Sequence, residues 1–412
     1  ASPNDYYALR AADDNALRNC ELMEYPDGWT DEALDIVDPY TDPLANCNRN
    51  FTPLTELVDS RVRLLKNGNA SRDKSLACRA RAILWKKDLD YSAGNWVNIA
   101  ENPTFPHDAV HVQCAREPTN FTDKQIIYSF VHQQIYRDRS IEVEKARVAV
   151  AEREKKRAVR PSVHVILIDS LGNTAMLRTM PRTVAFLKGE LGAVDFRHIN
   201  KVGLNSRPNG AAFLLGMQLA DFDRSLVGLP SVPAEYKFDF FCKDLDLDAQ
   251  KMVIREFEKE SPDMLLISDD WSQGVFNYPF CKGYQKLPST HYNRPYQLTR
   301  EKIKAVAETM SKKNCMPPWQ AQLEYLEMFI NEYPDSPKTS LSWLSTLAHN
   351  NNEDAFSVDG LFHDFLEKNR NEFEDSFVFF MSDHGLRFEK VNIYDNLLSF
   401  QLKLNMLEKN AR

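Results

Sequence analysis

A chain of 412 residues exceeds the size at which one hydrophobic core usually keeps growing, so two domains are expected. Its 43% hydrophobic content supports globular folding, yet no stretch approaches the roughly 20 apolar residues of a membrane-spanning helix. The net charge of −8, without a basic patch interleaved with aromatics, excludes nucleic acid from the expected partners.

Residues 1–135 hold turn clusters such as Tyr25-Pro26-Asp27-Gly28 and short alternating segments such as 107–114, which predicts a small β-rich domain. Cys20, Cys47, Cys78 and Cys114 fall there, with three N-glycosylation sequons at Asn50, Asn69 and Asn120. Oxidised cysteines and N-linked sugars both belong to the secretory route, so a secreted or lumenal, disulfide-stapled glycoprotein is expected, compatible with a signal peptide or anchor removed before Ala1. Cys242, Cys281 and Cys315 bring the count to seven, and an odd number leaves one thiol unpaired or paired between chains.

Acids and bases mix across residues 136–160, with Glu152 four residues before Lys156, which predicts a solvated connecting helix. Beyond it, residues 161–412 alternate apolar runs with helical patterns, the signature of a mostly parallel sheet covered by helices. Strands are expected at 163–168, 264–267 and 377–381. Helices are expected at 322–333, where Leu323, Leu326, Ile330 and Tyr333 recur at helical spacing, and at 358–368, where Val358, Leu361, Phe362, Phe365 and Leu366 form one stripe.

Chemistry collects at the ends of these strands. The run 163–168 ends in Asp169, and 377–381 leads into Ser382-Asp383-His384-Gly385. Continuous apolar runs read as strands buried on both faces, and their C-terminal ends are where open α/β sheets keep their ligands. A carboxylate oxygen beside an imidazole nitrogen suits a divalent cation such as zinc. Between the two strands, Pro208 suits the first turn of a helix and places Ser206 just before an N-terminus whose amides hold phosphate or sulfate. Serine is a weak nucleophile until a base or metal lowers its pKa, and Asp169, Asp383 and His384 offer the ligands. Structural readings compete at each position: a turn at Asp169, a helix cap at Ser206, an exposed loop at His349 before Asn350-Asn351-Asn352, and a salt bridge at His291 or Arg294. Asp359 and His363 have metal-like Asp-x-x-x-His spacing but lie beside the apolar stripe, which favours a solvated pair.

In that order, Ile168-Asp169-Ser170, Asn205-Ser206-Arg207-Pro208-Asn209 and Ser382-Asp383-His384-Gly385 resemble the alkaline phosphatase/sulfatase superfamily of metal-dependent phosphoryl and sulfuryl ester hydrolases and transferases. Met180-Pro181-Arg182-Thr183, Asp269-Asp270-Trp271, His291-Tyr292-Asn293-Arg294-Pro295 and residues 343–349 resemble its animal, largely nematode and insect, branch carried as a domain of unknown function. The resemblance implies an α/β fold with a mostly parallel sheet flanked by helices. It implies that Asp169, Asp383, His384 and the Ser206 oxygen bind one divalent metal, zinc being favoured over calcium, manganese or magnesium, with Asp269 or Asp270 completing the shell. Ser206 would attack phosphorus or sulfur, with His349 near the leaving group and Arg207 and Asn209 on the anionic ester. His291 and Arg294 are further candidates for that anion. The implied activity is hydrolysis of phosphate or sulfate esters, on a small anionic ester or a glycan or lipid substrate. The same cleft would serve a phospho-alcohol transferase, or an inactive relative that holds a lipid headgroup or sulfated glycan. Gly210 stands where formylglycine-forming sulfatases require Arg, no histidine follows His384, and the 28 residues after it make the domain look C-terminally shortened.

Overall fold

The protein is described by a computed structural model at residues 37–47, 51–65, 75–116, 121–122, 125–140, 161–196, 199–225, 228–257, 265–334 and 336–386, with a strand traced as backbone at 406–408. A hairpin of β1 (Thr55–Val58) and β2 (Arg61–Leu64) precedes an antiparallel sheet of β3 (Leu76–Lys87), β4 (Asp90–Ala93), β5 (Val97–Asn98), β6 (Ala109–Arg116) and β7 (Ile126–Gln133). Its order is β4-β3-β6-β7, with β5 also on β3. Side chains alternate between its faces. Ala80 and Ala82 of β3 stand opposite Val112 and Val110 of β6, whereas Arg79 and Arg81 stand opposite Gln113 and His111. The apolar set shares a core with Tyr296, Val306, Met310 and Ala321, from helices far along the chain.

The second sheet contains β8 (Ser162–Ile168), β9 (Val194–Asp195), β10 (Leu265–Asp269), β11 (His291–Tyr292), β12 (Thr339–Leu344), β13 (Ser376–Met381) and β14 (Met406–Glu408), ordered β11-β10-β12-β8-β13-β14-β9. Pairings are parallel from β11 to β13, and β14 runs antiparallel to both of its neighbours. Every residue of β8 is buried, as a strand covered on both faces requires. Ile166 and Ile168 join the core beneath α1 (Asn173–Thr179), α2 (Pro181–Gly189), α7 (Pro318–Glu332) and α8 (Asp359–Lys368), while Val165 and Leu167 join the opposite core beneath α3 (Ser206–Leu215). Short helices α4 (Val253–Glu256), α5 (Arg294–Lys302), α6 (Lys304–Ala307) and α9 (Arg370–Glu374) complete the described set.

The α/β architecture expected from the sequence is therefore present, with an antiparallel, disulfide-bearing N-terminal sheet beside it. Three disulfides join Cys47 to Cys315, Cys78 to Cys114 and Cys242 to Cys281. Cys20 and the sequon asparagines Asn50, Asn69 and Asn120 lie outside the described residues. So do residues 141–160 of the expected connecting helix, and residues 136–140 are not helical. The expected strand at 264–267 is β10, one residue later at its start and two at its end. Asp359 departs from the solvated pairing expected with His363. It is buried, and its carboxylate accepts the backbone N–H groups of Arg182 (2.9 Å) and Thr183 (2.8 Å), capping the start of α2. No helix among the described residues is long and apolar enough to cross a membrane. The three disulfides fit an oxidising, extracellular-type compartment.

Candidate active site

Strands β8 and β13 are hydrogen-bonded neighbours whose paired residues reach Leu167 and Met381, so Asp169 and Asp383-His384 leave the sheet side by side at its C-terminal edge. Ser170 then turns the chain with φ of 64°, a left-handed conformation that costs a non-glycine residue roughly 1 kcal/mol or more. That turn aims the Ser170 N–H at Asp383 Oδ1 (3.1 Å) and its hydroxyl at Asp169 Oδ1 (2.8 Å), locking the two carboxylates to one another. The backbone N–H of His384 adds a bond to Asp383 Oδ1 (2.9 Å).

The imidazole of His384 is oriented by its own loop. Nδ1 lies 2.9 Å from the carbonyl of Gly385, which only accepts, so a neutral ring carries its proton on Nδ1. Nε2 then presents a lone pair 3.4 Å from Asp383 Oδ2 and 3.7 Å from Asp169 Oδ1. Asp383 Oδ2 is buried without a hydrogen-bond partner. Two carboxylate oxygens and one imidazole nitrogen, all within 4.8 Å of one another and all buried, therefore converge with lone pairs facing inward. This donor set fits a divalent cation and leaves an electrostatic deficit without one. Burial, with the Asp383 charge behind it, pushes the Asp169 carboxyl up to about 6, and burial does the same for Asp383. A second grouping, His363, Asp364 and Glu367, sits on the solvent side of α8.

Ser206 is brought to this cluster by α3. The helix starts at Ser206 itself, with Asn205 as its extended N-cap residue (φ −144°, ψ 174°), so Ser206 stands one step further into the helix than the position of Pro208 suggested. Its Oγ lies 3.1 Å from Asp169 Oδ2 and 3.3 Å from His384 Nε2. Gly210 explains why no larger residue follows on this face: a Cβ there would meet Val275 Cγ2 at 2.8 Å and the Trp343 ring at 3.1 Å.

The remaining sequence candidates separate into two groups. Asp269, at the end of β10, is close enough to Asp169 for that charge to help raise its carboxyl, which burial pushes up to about 6 against the opposing pull of Arg294. Its Oδ1 accepts from Trp271 N (3.0 Å) and Ser345 Oγ (3.2 Å). Arg207 follows Ser206 directly, with its guanidinium 4.5 Å from the Phe238 ring and its Nε buried without a partner. Burial lowers its pKa to about 10. His349 is half-buried against Trp271, ring centroids 6.3 Å apart, with Nδ1 3.0 Å from Asn350 Oδ1.

The structure uses the other candidates elsewhere. Asp270 spends its carboxylate on the N–H groups of Ser345 (2.6 Å) and Thr346 (3.1 Å) and on the Thr346 hydroxyl (2.5 Å), fastening the loop after β12. Asn209 is fully committed, accepting from Val202 N and Gly203 N and donating to the carbonyls of Gly203 and Asn205, so it holds the loop before α3 and has nothing left for a substrate. His291 is buried between Asp108 (2.8 Å) and the Tyr333 hydroxyl (2.9 Å), with the Phe329 ring of α7 5.7 Å away. Arg294, also buried, donates to the Trp271 carbonyl and to the Tyr292 hydroxyl (3.3 Å) and serves as counter-charge to Asp269 and Asp88. For both His291 and Arg294 the geometry provides internal hydrogen-bond partners. Ser170 and Trp271 are site residues to which sequence reasoning gave no role. The reversed turn at Ser170 has no glycine to announce it.

Several solved structures are similar to this chain. A protein of the alkaline phosphatase superfamily from Vibrio parahaemolyticus matches with 15% identity over 61% of each chain and a TM-score of 0.37. The phosphonate monoester hydrolase of Agrobacterium radiobacter matches with 10% identity over 61% of this chain and 68% of its own, TM-score 0.36. A murine ectonucleotide pyrophosphatase/phosphodiesterase, an inactive variant in complex with AMP, matches with 12% identity over 56% of this chain and 59% of its own, TM-score 0.34. The chain thus spans about 61% of the length of the first of these structures. No curated protein matches it. Residues 41–396 match the family described as "Protein of unknown function (DUF229)", and the chain belongs to that family.

Proposed function

We propose that this protein is a secreted or lumenal metal-dependent hydrolase of phosphate or sulfate esters that uses Ser206 as its nucleophile. The supporting observation is the contact of Ser206 Oγ with Asp169 Oδ2 (3.1 Å) and His384 Nε2 (3.3 Å) at the first residue of a helix. Asp169, Asp383 and His384, together with Ser206 Oγ, would hold one divalent cation, zinc being favoured. When bound, such a cation supplies positive charge that favours the serine alkoxide and the charge that develops on the ester.

The chain's own groups do the rest. Asp169 Oδ2 accepts the Ser206 proton and fixes the direction of Oγ. The N-terminal end of α3 presents its dipole to the anionic ester, and Arg207 adds a fixed cation beside the nucleophile. Bond formation from Ser206 Oγ to phosphorus or sulfur expels the alcohol oxygen, which takes its proton from His349. Water then cleaves the serine ester and restores the hydroxyl.

Turnover of aryl phosphate monoesters, diesters and aryl sulfate by purified protein, with zinc, manganese, magnesium or calcium added in turn, tests this reading. Activity is expected to need both an added metal and Ser206. Turnover indifferent to Ser206→Ala removes the nucleophile, and metal uptake without any turnover identifies a silent anion-binding relative.

A further inference from the structure

A pair of stacked arginines stands on the polar face of the N-terminal sheet, on strands that contribute nothing to the cluster at Asp169. Arg79 and Arg81 are alternate residues of β3 and share that face. Each guanidinium carbon lies 4.3 Å from the centroid of the Trp96 indole, so the two cations are within twice 4.3 Å of one another. Arg79 also lies 4.1 Å from the ring of Phe121.

The strand opposite holds both forks in place with neutral groups. Arg79 Nη2 and Nε donate to Gln113 Oε1 (2.8 and 3.3 Å), and Arg81 Nη2 donates to His111 Nδ1 (3.4 Å). Gln113 and His111 are their cross-strand partners in register. Because His111 Nδ1 accepts, its proton sits on Nε2 and is donated to Ser129 Oγ (2.9 Å). Among the described residues no carboxylate pairs with either arginine, although the chain has 59 acidic and 51 basic residues. Both are stacked on Trp96 and hydrogen-bonded to neutral acceptors; Arg81 Nε is buried, and the other donors not given to Gln113 or His111 are left for a ligand.

We infer that this stack is a binding site for a short acidic glycan, whose sulfate or carboxylate groups take the open edges of the two guanidiniums. Planar forks fixed on aromatic faces recognise such oxyanions in bidentate fashion. Paired anionic substituents on one or two sugar rings match two cations so close together. A long polyphosphate backbone does not suit a chain of net charge −8, because its binding rests on neutralising many phosphates at once.

Anisotropy of a labelled heparin-derived tetrasaccharide, titrated with the whole chain at low and physiological ionic strength, tests the site independently of any esterase activity. Saturable, salt-sensitive binding is expected, weakened at least tenfold in the Arg79→Gln/Arg81→Gln double variant with no loss of the metal response at Asp383. Arg79→Lys/Arg81→Lys keeps the charge but removes the fork, and is expected to weaken binding several-fold. It carries the test should the glutamine variant not fold. Absence of saturable binding by the unmodified protein, or lysine-variant binding as tight as wild type, overturns the site. An oligonucleotide of equal charge that binds as tightly, with the same arginine dependence, overturns the glycan as its ligand.

Discussion

Replacing Asp383 with asparagine separates the two demands placed on the buried cluster. Oδ1 of Asp383 accepts from Ser170 N (3.1 Å) and His384 N (2.9 Å), and an asparagine oxygen keeps both bonds. The amide nitrogen then takes the place of Oδ2, which is buried, unpartnered and 3.4 Å from His384 Nε2, and it donates where the carboxylate repelled. In the metal-free protein burial raises the Asp383 carboxyl from 3.8 to about 6. A carboxyl raised on folding contributes stability that is complete below its unfolded pKa and is lost as pH rises through its folded one. At pH 7.5 the loss is on the order of 3 kcal/mol, from about 1.4 kcal/mol per pKa unit. Melting entropy of about 2 cal/mol/K per residue converts this into a gain of roughly 3–4 °C for the variant in chelator, a difference that shrinks at pH 4.5. Zinc at about one hundred times its Kd adds about 2.7 kcal/mol to the wild type and far less to the variant. Thermal melts with chelator and with zinc, at both pH values, read these opposite signs. A variant that melts below the wild type in chelator at pH 7.5, or that gains as much from zinc, refutes the reasoning.

Ser206→Ala is expected to lower turnover by roughly a thousandfold or more while leaving most of the zinc-induced rise in melting temperature, since three of the four donors remain; activity assays and melts on one preparation distinguish the two. Gly210→Ala forces α3 away from Val275 and Trp343, at a cost of about 1–3 kcal/mol, and displaces Ser206 enough to slow turnover about tenfold or more, so unchanged kinetics and melting would contradict the packing described. Glu372 lies 2.6 Å from Lys338 Nζ and 3.0 Å from His164 Nε2, and although burial works against its charge, these partners hold its carboxyl down at about 2. Its stabilisation is present above its ordinary pKa of 4.5 and is lost as pH falls through 2; Glu372→Gln, which leaves Lys338 without that carboxylate, is expected to cost about 3 kcal/mol at pH 7 in denaturant titrations, with the gap closing below pH 3. Removing the Cys78–Cys114 bridge with serines is expected to cost about 4 kcal/mol by chain-entropy arguments, checked by the same titrations.

Much of the architecture was legible because buried parallel strands advertise themselves: β8 and β13 are continuous apolar runs, and the polar residues that end them stand out at once. Ser206 could be placed near a helix start because Pro208 marks one. What escaped the sequence is long-range satisfaction of polar groups. His291 looks like a ligand until Asp108, 183 positions earlier, and Tyr333 take both of its nitrogens. Asn209 looks available until the loop before it turns back onto its amide. Asp359 sits at the edge of an amphipathic stripe, yet the start of α2, 176 to 177 positions away, buries it. Ser170 holds the two carboxylates together through a backbone conformation that serine seldom adopts, which no local pattern predicts.

The bridge between Cys47 and Cys315, with the dependence of the N-terminal sheet on Tyr296, Val306, Met310 and Ala321, fixes an order of events at birth. The two cysteines are 268 positions apart, so at roughly 5–20 residues per second the first waits about 13–54 s for the second to be synthesised. Cys78 and Cys114 emerge within that interval as competing thiols, and the sheet that carries them still lacks the side chains that Tyr296, Val306, Met310 and Ala321 add to its core. In an oxidising compartment, a bond that Cys47 makes before Cys315 arrives has to be reopened before the native pair can close.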